Sequence, residues 1–563
     1  MNAVISRTGF TLAAILILVF TLAATPTALA QEEETITERV DEIFAPWDKP
    51  NSPGCALGVI KDGQFIYERG YGMANLEHDA PLSSKSVFYI ASTSKQFAAA
   101  SIILAAEQGF LSLDDDIREY VPELPDYGKT ITIRHLLHHT SGLRDYLTLW
   151  DLAGEEFADI HEPEDALEMI TRQKALNFEP GEEYLYSNSG FFLLSVIIER
   201  TTGQTLREFA HDNIFEPLGM VHSHFHDDYT EISKHRAIGH VLRDDSTFAM
   251  YVSNFDLVGS GGLHTSVDDL LLWDHNFYDN ELGTGTLLEQ LHRRGILNNG
   301  DTLSYAAGLG IDEYKGLRMV SHGGSAQGYR TELLRFPDQH FSVICLCNLG
   351  NINPSRLARQ VADVYLADEY VETEEEEAVP AVEVEFIELS QAELETWAGA
   401  YRNPDTGTIW KVSVEGNRLK VQIDGTQWNL APLSATEFKA VDAPMGIDVT
   451  FQDAPKGARA VFEDGDEAIF EAVELVSPDA AHLAEYAGAW YSDELDATWQ
   501  LVVHEAGLYI EDGPEDPLSP TIRDEFKLRG LTLRFTRDEE GRISSMMVDA
   551  GRVRNLEFTR PGG

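Results

Sequence analysis

Between residues 51 and 367 the apolar positions fall into two kinds of segment. Ala56-Leu-Gly-Val-Ile60 is a compact apolar run, closed by Lys61-Asp62-Gly63 and answered by Gln64-Phe-Ile-Tyr67, which together read as a β-hairpin. Strand-like runs return only near the far end, at Leu317–Ser321, Thr331–Arg335 and Phe341–Cys347, with Pro337-Asp338 marking a turn. Long helical stretches lie between, among them Gln96–Glu107, Gly190–Thr201 and Val267–Phe277. Strands from both ends with helices inserted predict an α+β domain: one antiparallel sheet, closed by its N- and C-terminal pieces and flanked by helices.

Beyond residue 388 the pattern becomes strand-like and repeats. Leu394-x-x-Trp397-Ala-Gly-Ala can be laid on Leu483-x-x-Tyr486-Ala-Gly-Ala, with Tyr401 on Trp490, Trp410 on Trp499 and Leu419 on Leu508, each pair 89 residues apart. Glu437-Phe-Lys439 meets Glu525-Phe-Lys527 at 88. Aromatic and glycine positions held in register over about 45 residues mark a duplication. Alternating segments such as Trp410-Lys-Val-Ser-Val414 predict two small all-β barrel-like domains, at 389–477 and 478–563. The repeat carries no cluster of catalytic residue types, which makes it scaffold or substrate gate. Residues 368–388 hold ten carboxylates and no basic residue, so they read as a self-repelling acidic linker after a domain at 31–367.

Charge and the N-terminus change the picture in two ways. The 563 residues carry 94 Asp plus Glu against 42 Lys plus Arg, a formal charge of −52. Such a surface repels phosphate backbones and anionic lipid, which argues against nucleic-acid partners and electrostatic membrane binding. Arg7, the apolar run Leu12–Ala24 and Ala28-Leu-Ala30 read as a signal peptide over residues 1–30, cleaved after Ala30, so a secreted or periplasmic location is expected with no stable membrane anchor. Three cysteines make no disulfide framework. Cys345 and Cys347 read as core thiols of a buried strand. Whether Cys55 pairs with one of them is left open by the sequence.

Three short motifs carry chemistry. Ser92-Thr-Ser-Lys95 opens an uncharged helical run, where free N–H groups favour developing negative charge and the lysine amine lies one turn from the serine hydroxyl. A buried lysine whose charged form is disfavoured becomes a usable base. Tyr186-Ser-Asn188 follows Phe178-Glu-Pro-Gly181 in a loop ahead of the next helix, with Ser189 the expected N-cap; it offers a phenol and an amide on one side. His322-Gly323-Gly324, at a strand end, lets a substrate backbone approach and sets a switchable donor beside it.

The order Ser-x-x-Lys, Tyr-x-Asn, His-Gly-Gly, with 94 and 136 residues between Ser92, Tyr186 and His322, resembles the penicillin-recognising serine hydrolases of the class C β-lactamase and DD-peptidase type. Leu136-Leu-His-His-Thr-Ser-Gly-Leu143, Gly259–Ser266 and Gly308-Leu-Gly310 agree, and the likeness spans roughly residues 35–365. Class C β-lactamases have Lys-Thr-Gly where this chain has His-Gly-Gly, which lowers the expectation of β-lactam hydrolysis. The histidine looks like the DD-peptidase and D-aminopeptidase branch, and the duplicated barrels match the D-aminopeptidase plan. The resemblance implies acyl transfer through Ser92, with Lys95 and Tyr186 sharing proton transfer and either of them the base. Asn188, His322, Gly323 and Gly324 would bind substrate, and the backbone N–H groups of Ser92 and Ser325 would form the oxyanion hole. No cofactor or metal is implied, and His138-His139 fit a structural loop.

The expected partner is a small peptide, amide or ester, foremost a peptide containing D-residues, with a homodimer left open. A loop of the last barrel is expected at the cleft. Its acidic Glu511–Asp516 and nearby Asp524 are candidates for holding a substrate amine, within an acidic rim suited to aminopeptidase action. The alternatives are a promiscuous esterase or β-lactamase-like hydrolase, and a non-catalytic peptidoglycan or β-lactam binding protein, for which a broken motif set would be the mark.

Overall fold

The computed structural model describes residues 36–561 except 156–158, 245–246, 252–253, 327, 372–385, 424–425, 444, 464–465 and 506. The expected signal peptide and most of the acidic linker lie outside the described residues. Among the described residues no helix is long and apolar enough to cross a membrane.

Six strands, β1 (Cys55–Lys61), β2 (Gln64–Tyr71), β3 (Gly310–Tyr314), β4 (Leu317–Ala326), β5 (Tyr329–Phe336) and β6 (Phe341–Cys347), form one antiparallel sheet in the order β3-β4-β5-β6-β1-β2. The first hairpin therefore lies beside the last strand, Lys61 opposite Phe341 and Cys55 opposite Cys347. That register joins Cys55 and Cys347 in a disulfide, so Cys347 is not the core thiol its strand suggested, and Cys345 alone stays free and buried. Alternation along the strands divides the core in two. Leu57, Val59, Leu334, Val343 and Cys345 meet Phe44 and α5 (Pro354–Leu366) on one face. Ala56, Ile60, Leu333, Ile344 and Leu346 belong to the other cluster, with α1 (Lys95–Glu107), α3 (Asn188–Thr202) and α4 (Val267–Asp279). In α1 every residue from Lys95 to Ala105 is buried, in keeping with a helix that has no charge between Lys95 and Glu107.

The duplicated region forms two eight-stranded antiparallel sheets. The first closes into a barrel, its first strand Gly399–Arg402 paired with its last, Glu467–Val473. Tyr401 and Trp490 fill equivalent places in the two cores, both fully buried. Trp410 and Trp499 diverge: Trp410 packs inside on Phe470 at 4.1 Å, whereas Trp499 donates its indole N–H across to Leu152 O at 2.8 Å. Leu152 lies in α2 (Tyr146–Ala153), so the second barrel is docked on the α+β domain. A buried ion pair anchors it, Arg144 Nη1 to Glu494 Oε2 at 2.7 Å, and the same carboxylate accepts from Lys174 N at 2.6 Å.

Candidate active site

Ser92 sits in a single 3-10 turn, Ala91–Ser94, just ahead of α1. Ala91 has φ 49°, a costly region for a residue with a β-carbon, immediately before the serine. The turn is held against β4. Thr93 Oγ1 donates to His322 O at 3.2 Å, and a β-carbon added at Gly324 would stand 2.2 Å from Ile90 O. Gly324 is thus required by the close approach of the serine turn to the strand. Gly308, at φ +72°, meets the start of α1 in the same way.

Lys95 is fully buried. Its Nζ lies 3.2 Å from Ser92 Oγ, 2.8 Å from Asn188 Oδ1 and 2.6 Å from Ser260 O. Burial drives its pKa well below the usual lysine value; Asp145 opposes that shift and Arg552 adds to it. A neutral amine has two hydrogens and one lone pair. With the hydrogens donated to Asn188 Oδ1 and Ser260 O, the lone pair is left for the Ser92 hydroxyl proton, which is the geometry of a general base. Asn188 is fixed in turn: its backbone N and Nδ2 both donate to Asp145 Oδ2, at 2.6 and 2.8 Å. Asp145 is buried and caps α2 through Thr148 N.

Asn188 is the first residue of α3, and Ser189 is not its cap. The Ser189 hydroxyl instead donates to Arg144 O and accepts from Tyr146 N, tying α3 to α2. Tyr186 presents its ring 4.8 Å from Lys95 Nζ and packs on His139, with ring centroids 4.1 Å apart and planes 34° from parallel. Burial raises the Tyr186 phenol; a hydrogen bond to Ser92 and the charge of Arg552 pull it back. His139 Nδ1 accepts from Ser187 N and His138 Nε2 meets Arg293 O, so both histidines brace loops. His322 is buried and has both ring nitrogens engaged, Nδ1 with Gly323 O at 2.7 Å and Nε2 with Tyr305 OH at 3.0 Å. A carbonyl only accepts, so Nδ1 carries the hydrogen and Tyr305 donates to Nε2. Burial pushes the His322 pKa down to about 4.

The sequence profile of the Beta-lactamase family matches residues 34–367. The chain belongs to the β-lactamase family. It is 30% identical over 427 residues to penicillin-binding protein 4* of Bacillus subtilis, covering 73% of this chain and 92% of that protein. It is 26% identical over 529 residues to a D-aminopeptidase of Brucella anthropi, covering 90% and 95% of the two chains. A solved octameric penicillin-binding protein homologue from Pyrococcus abyssi shares the fold at TM-score 0.53 and 24% identity, over 79% of this chain and 100% of that one.

In this β-lactamase-family domain the site is completed from outside. The turn between the last two strands of the second barrel enters it: Arg552 lies over the Tyr186 ring at 4.7 Å, with Nη1 3.9 Å from Asp145 Oδ2. The turn is pinned by its backbone. Arg552 O accepts from Asn177 Nδ2 at 2.9 Å, Arg554 N donates to Asn177 Oδ1 at 2.8 Å, and Arg144 donates to Arg554 O and Asn555 O. The acidic segment expected there is elsewhere. Glu511, Asp512 and Gly513 line a cavity with Asp151–Gly154, and Asp524 is bonded to Arg537 and Tyr486. A cavity of about 530 Å³ opens beside Ser325 and Tyr89, and its charged lining residue among those described is Arg330. Arg552 over Tyr186 and Arg330 beside this cavity are both basic, whereas the net charge led to the expectation of an acidic rim.

Sequence reading missed Asp145, Ser260, Tyr305 and Arg552. Asp145 had a local signal, an Asp before the apolar run of α2, but that signal speaks of capping. Nothing local connects the other three to Ser92.

Proposed function

We propose that the protein is an exported serine hydrolase, acylated at Ser92, that cleaves small peptides or amides containing D-amino acids. The Lys95 environment carries this reading: a buried amine 3.2 Å from Ser92 Oγ with acceptors, Asn188 Oδ1 and Ser260 O, for the two hydrogens of its neutral form. Lys95 takes the serine proton. Tyr186, held as a neutral phenol by burial, gives its proton to the leaving group and recovers one from the Lys95 ammonium; water then releases the acyl group and the serine regains its proton. The backbone N–H groups of Ser92 and Ser325 receive the oxyanion. His322 and Gly324 act by positioning the strand edge, since the His322 ring is engaged internally. The D-aminopeptidase relative supports the substrate class, and the Cys55–Cys347 disulfide suits an oxidising compartment.

Arg552 favours a particular variant of this reading. Among the described residues its guanidinium meets Asp145 only at 3.9 Å and lies over the Tyr186 ring, which leaves donors for a ligand. A guanidinium pairs with a carboxylate and repels an ammonium. Peptides with a free carboxylate near the scissile bond are then preferred to those offering a free amine. Hydrolysis of D-Ala-p-nitroanilide, its N-blocked form, a D-Ala-D-Ala-terminated peptide and its amide, p-nitrophenyl acetate and nitrocefin by one preparation tests both points. Preference for the carboxylate-ended peptide, with KM raised at least about tenfold by Arg552→Gln for that substrate alone, is expected. Preference for the free-amine anilide, unaffected by Arg552→Gln, returns the protein to aminopeptidase action. Turnover of the acetate ester alone makes it an esterase.

A further inference from the structure

Away from Ser92, a short strand pair gathers three histidines. His224–Phe225 pairs with Leu263–Thr265 so that His224 stands opposite His264, and His226 follows two residues on, on the same side. One ring nitrogen from each of His224, His226 and His264 lies within 4.8 Å of the other two. His226 and His264 stack at 4.2 Å with 12° between their planes, and His224 Nε2 is 3.1 Å from His226 Nδ1. His226 and His264 are 5% and 2% exposed.

The protons in this cluster do not balance internally. His264 Nδ1 lies 3.3 Å from Ser233 Oγ, which leaves its other nitrogen available. His226 shares Nδ1 with His224, while its Nε2 is buried with no partner. A buried polar atom left unpaired is costly, so native sites rarely tolerate one without reason. Burial, the neighbouring imidazoles, Arg207 and Arg236 lower the pKa of these rings, with Glu231 and Asp227 pulling the other way. A neutral imidazole offers one ring lone pair to a metal, and an ion entering here would replace the His224–His226 hydrogen bond. Glu231 Oε2, 4.0 Å from His226 Nδ1 and half-exposed, offers an oxygen at the rim, where Arg207 also holds it.

We propose that His224, His226 and His264 bind a zinc ion, with Glu231 or water as fourth ligand. Three nitrogens and one oxygen from neighbouring strands suit four-coordinate Zn²⁺. The ion takes no part in acyl transfer. It ties His224–His226 to the strand whose Leu263 N donates to Ser94 Oγ at 3.1 Å and whose approach carries Ser260, the acceptor for Lys95. It thereby braces the loop that aims the lysine.

The test uses the full-length chain, stripped with a chelator and titrated with Zn²⁺, with metal content, Tm and the visible spectrum of the Co²⁺ form recorded. One zinc per chain, a raised Tm and the intense bands of four-coordinate Co²⁺ are expected. His226→Gln and His264→Gln should each weaken uptake more than about tenfold while the far-ultraviolet circular dichroism stays native. Absence of stoichiometric uptake by the wild-type chain, or uptake that both variants retain, overturns the site. If a variant fails to fold, the wild-type titration still decides, because a Tm unmoved by zinc contradicts a bracing ion.

Discussion

Two charges of opposite sign flank Lys95, and their removal has opposite consequences. Asp145 favours the ammonium form of Lys95 and Arg552 disfavours it. If neutral Lys95 is the base, the acid limb of the kcat/KM profile reports its deprotonation. Arg552→Gln then moves that limb to higher pH. Asp145→Asn, which keeps an acceptor for Asn188, moves it to lower pH. A stopped assay across pH on an uncharged ester measures both, and shifts in the same direction would remove Lys95 from the base role. Gly324→Ala belongs to the same scale. Its β-carbon needs the space of Ile90 O, so the serine turn must move away from β4, and kcat should fall by 10²-fold or so with the protein still folded.

The elements that present these residues have testable weak points. Glu332 of β5 is buried beside Gly323 and accepts from Ser355, and burial raises its carboxyl to about 7. A carboxyl whose pKa rises on folding binds more protons in the native state. Its contribution is whole below the unfolded value of 4.5 and is lost as pH climbs through about 7. Glu332→Gln should therefore leave Tm nearly unchanged at pH 4.5 and raise it at pH 8, recovering about 3 kcal/mol at most. Thermal melts at the two pH values measure this, and an equal change at both would contradict it. Glu494→Ala strands the buried Arg144 guanidinium, a loss of about 3–5 kcal/mol at the barrel contact. Because Arg144 also holds Arg554 O, the turn bearing Arg552 should loosen. Limited proteolysis that releases the second barrel, together with the KM rise of Arg552→Gln, is the expected result.

At the scale of the whole molecule, what was legible in the sequence was what is local. Ser92 and Lys95 share one helical turn, and Tyr186 and Asn188 share one loop, so short spacing exposed both pairs. The sheet was legible because its first hairpin and last strands are apolar runs with clear turns. The barrels were legible because duplication repeats their aromatic positions. Long-range choices were not: Cys55 meets Cys347 only through the β1–β6 register, and Arg552 reaches Tyr186 only because Trp499 and Glu494 dock the second barrel. The same limit misplaced the acidic loop, since net charge says nothing about which turn faces a cleft.

The central claim is that Ser92 is the nucleophile, with Lys95 poised to take its proton. Intact-protein mass spectrometry after treatment with a fluorophosphonate tests it most directly. One adduct per chain is expected, mapping to Ser92 and absent from a folded Ser92→Ala variant. No adduct on the wild-type protein, or an undiminished one on Ser92→Ala, would contradict it.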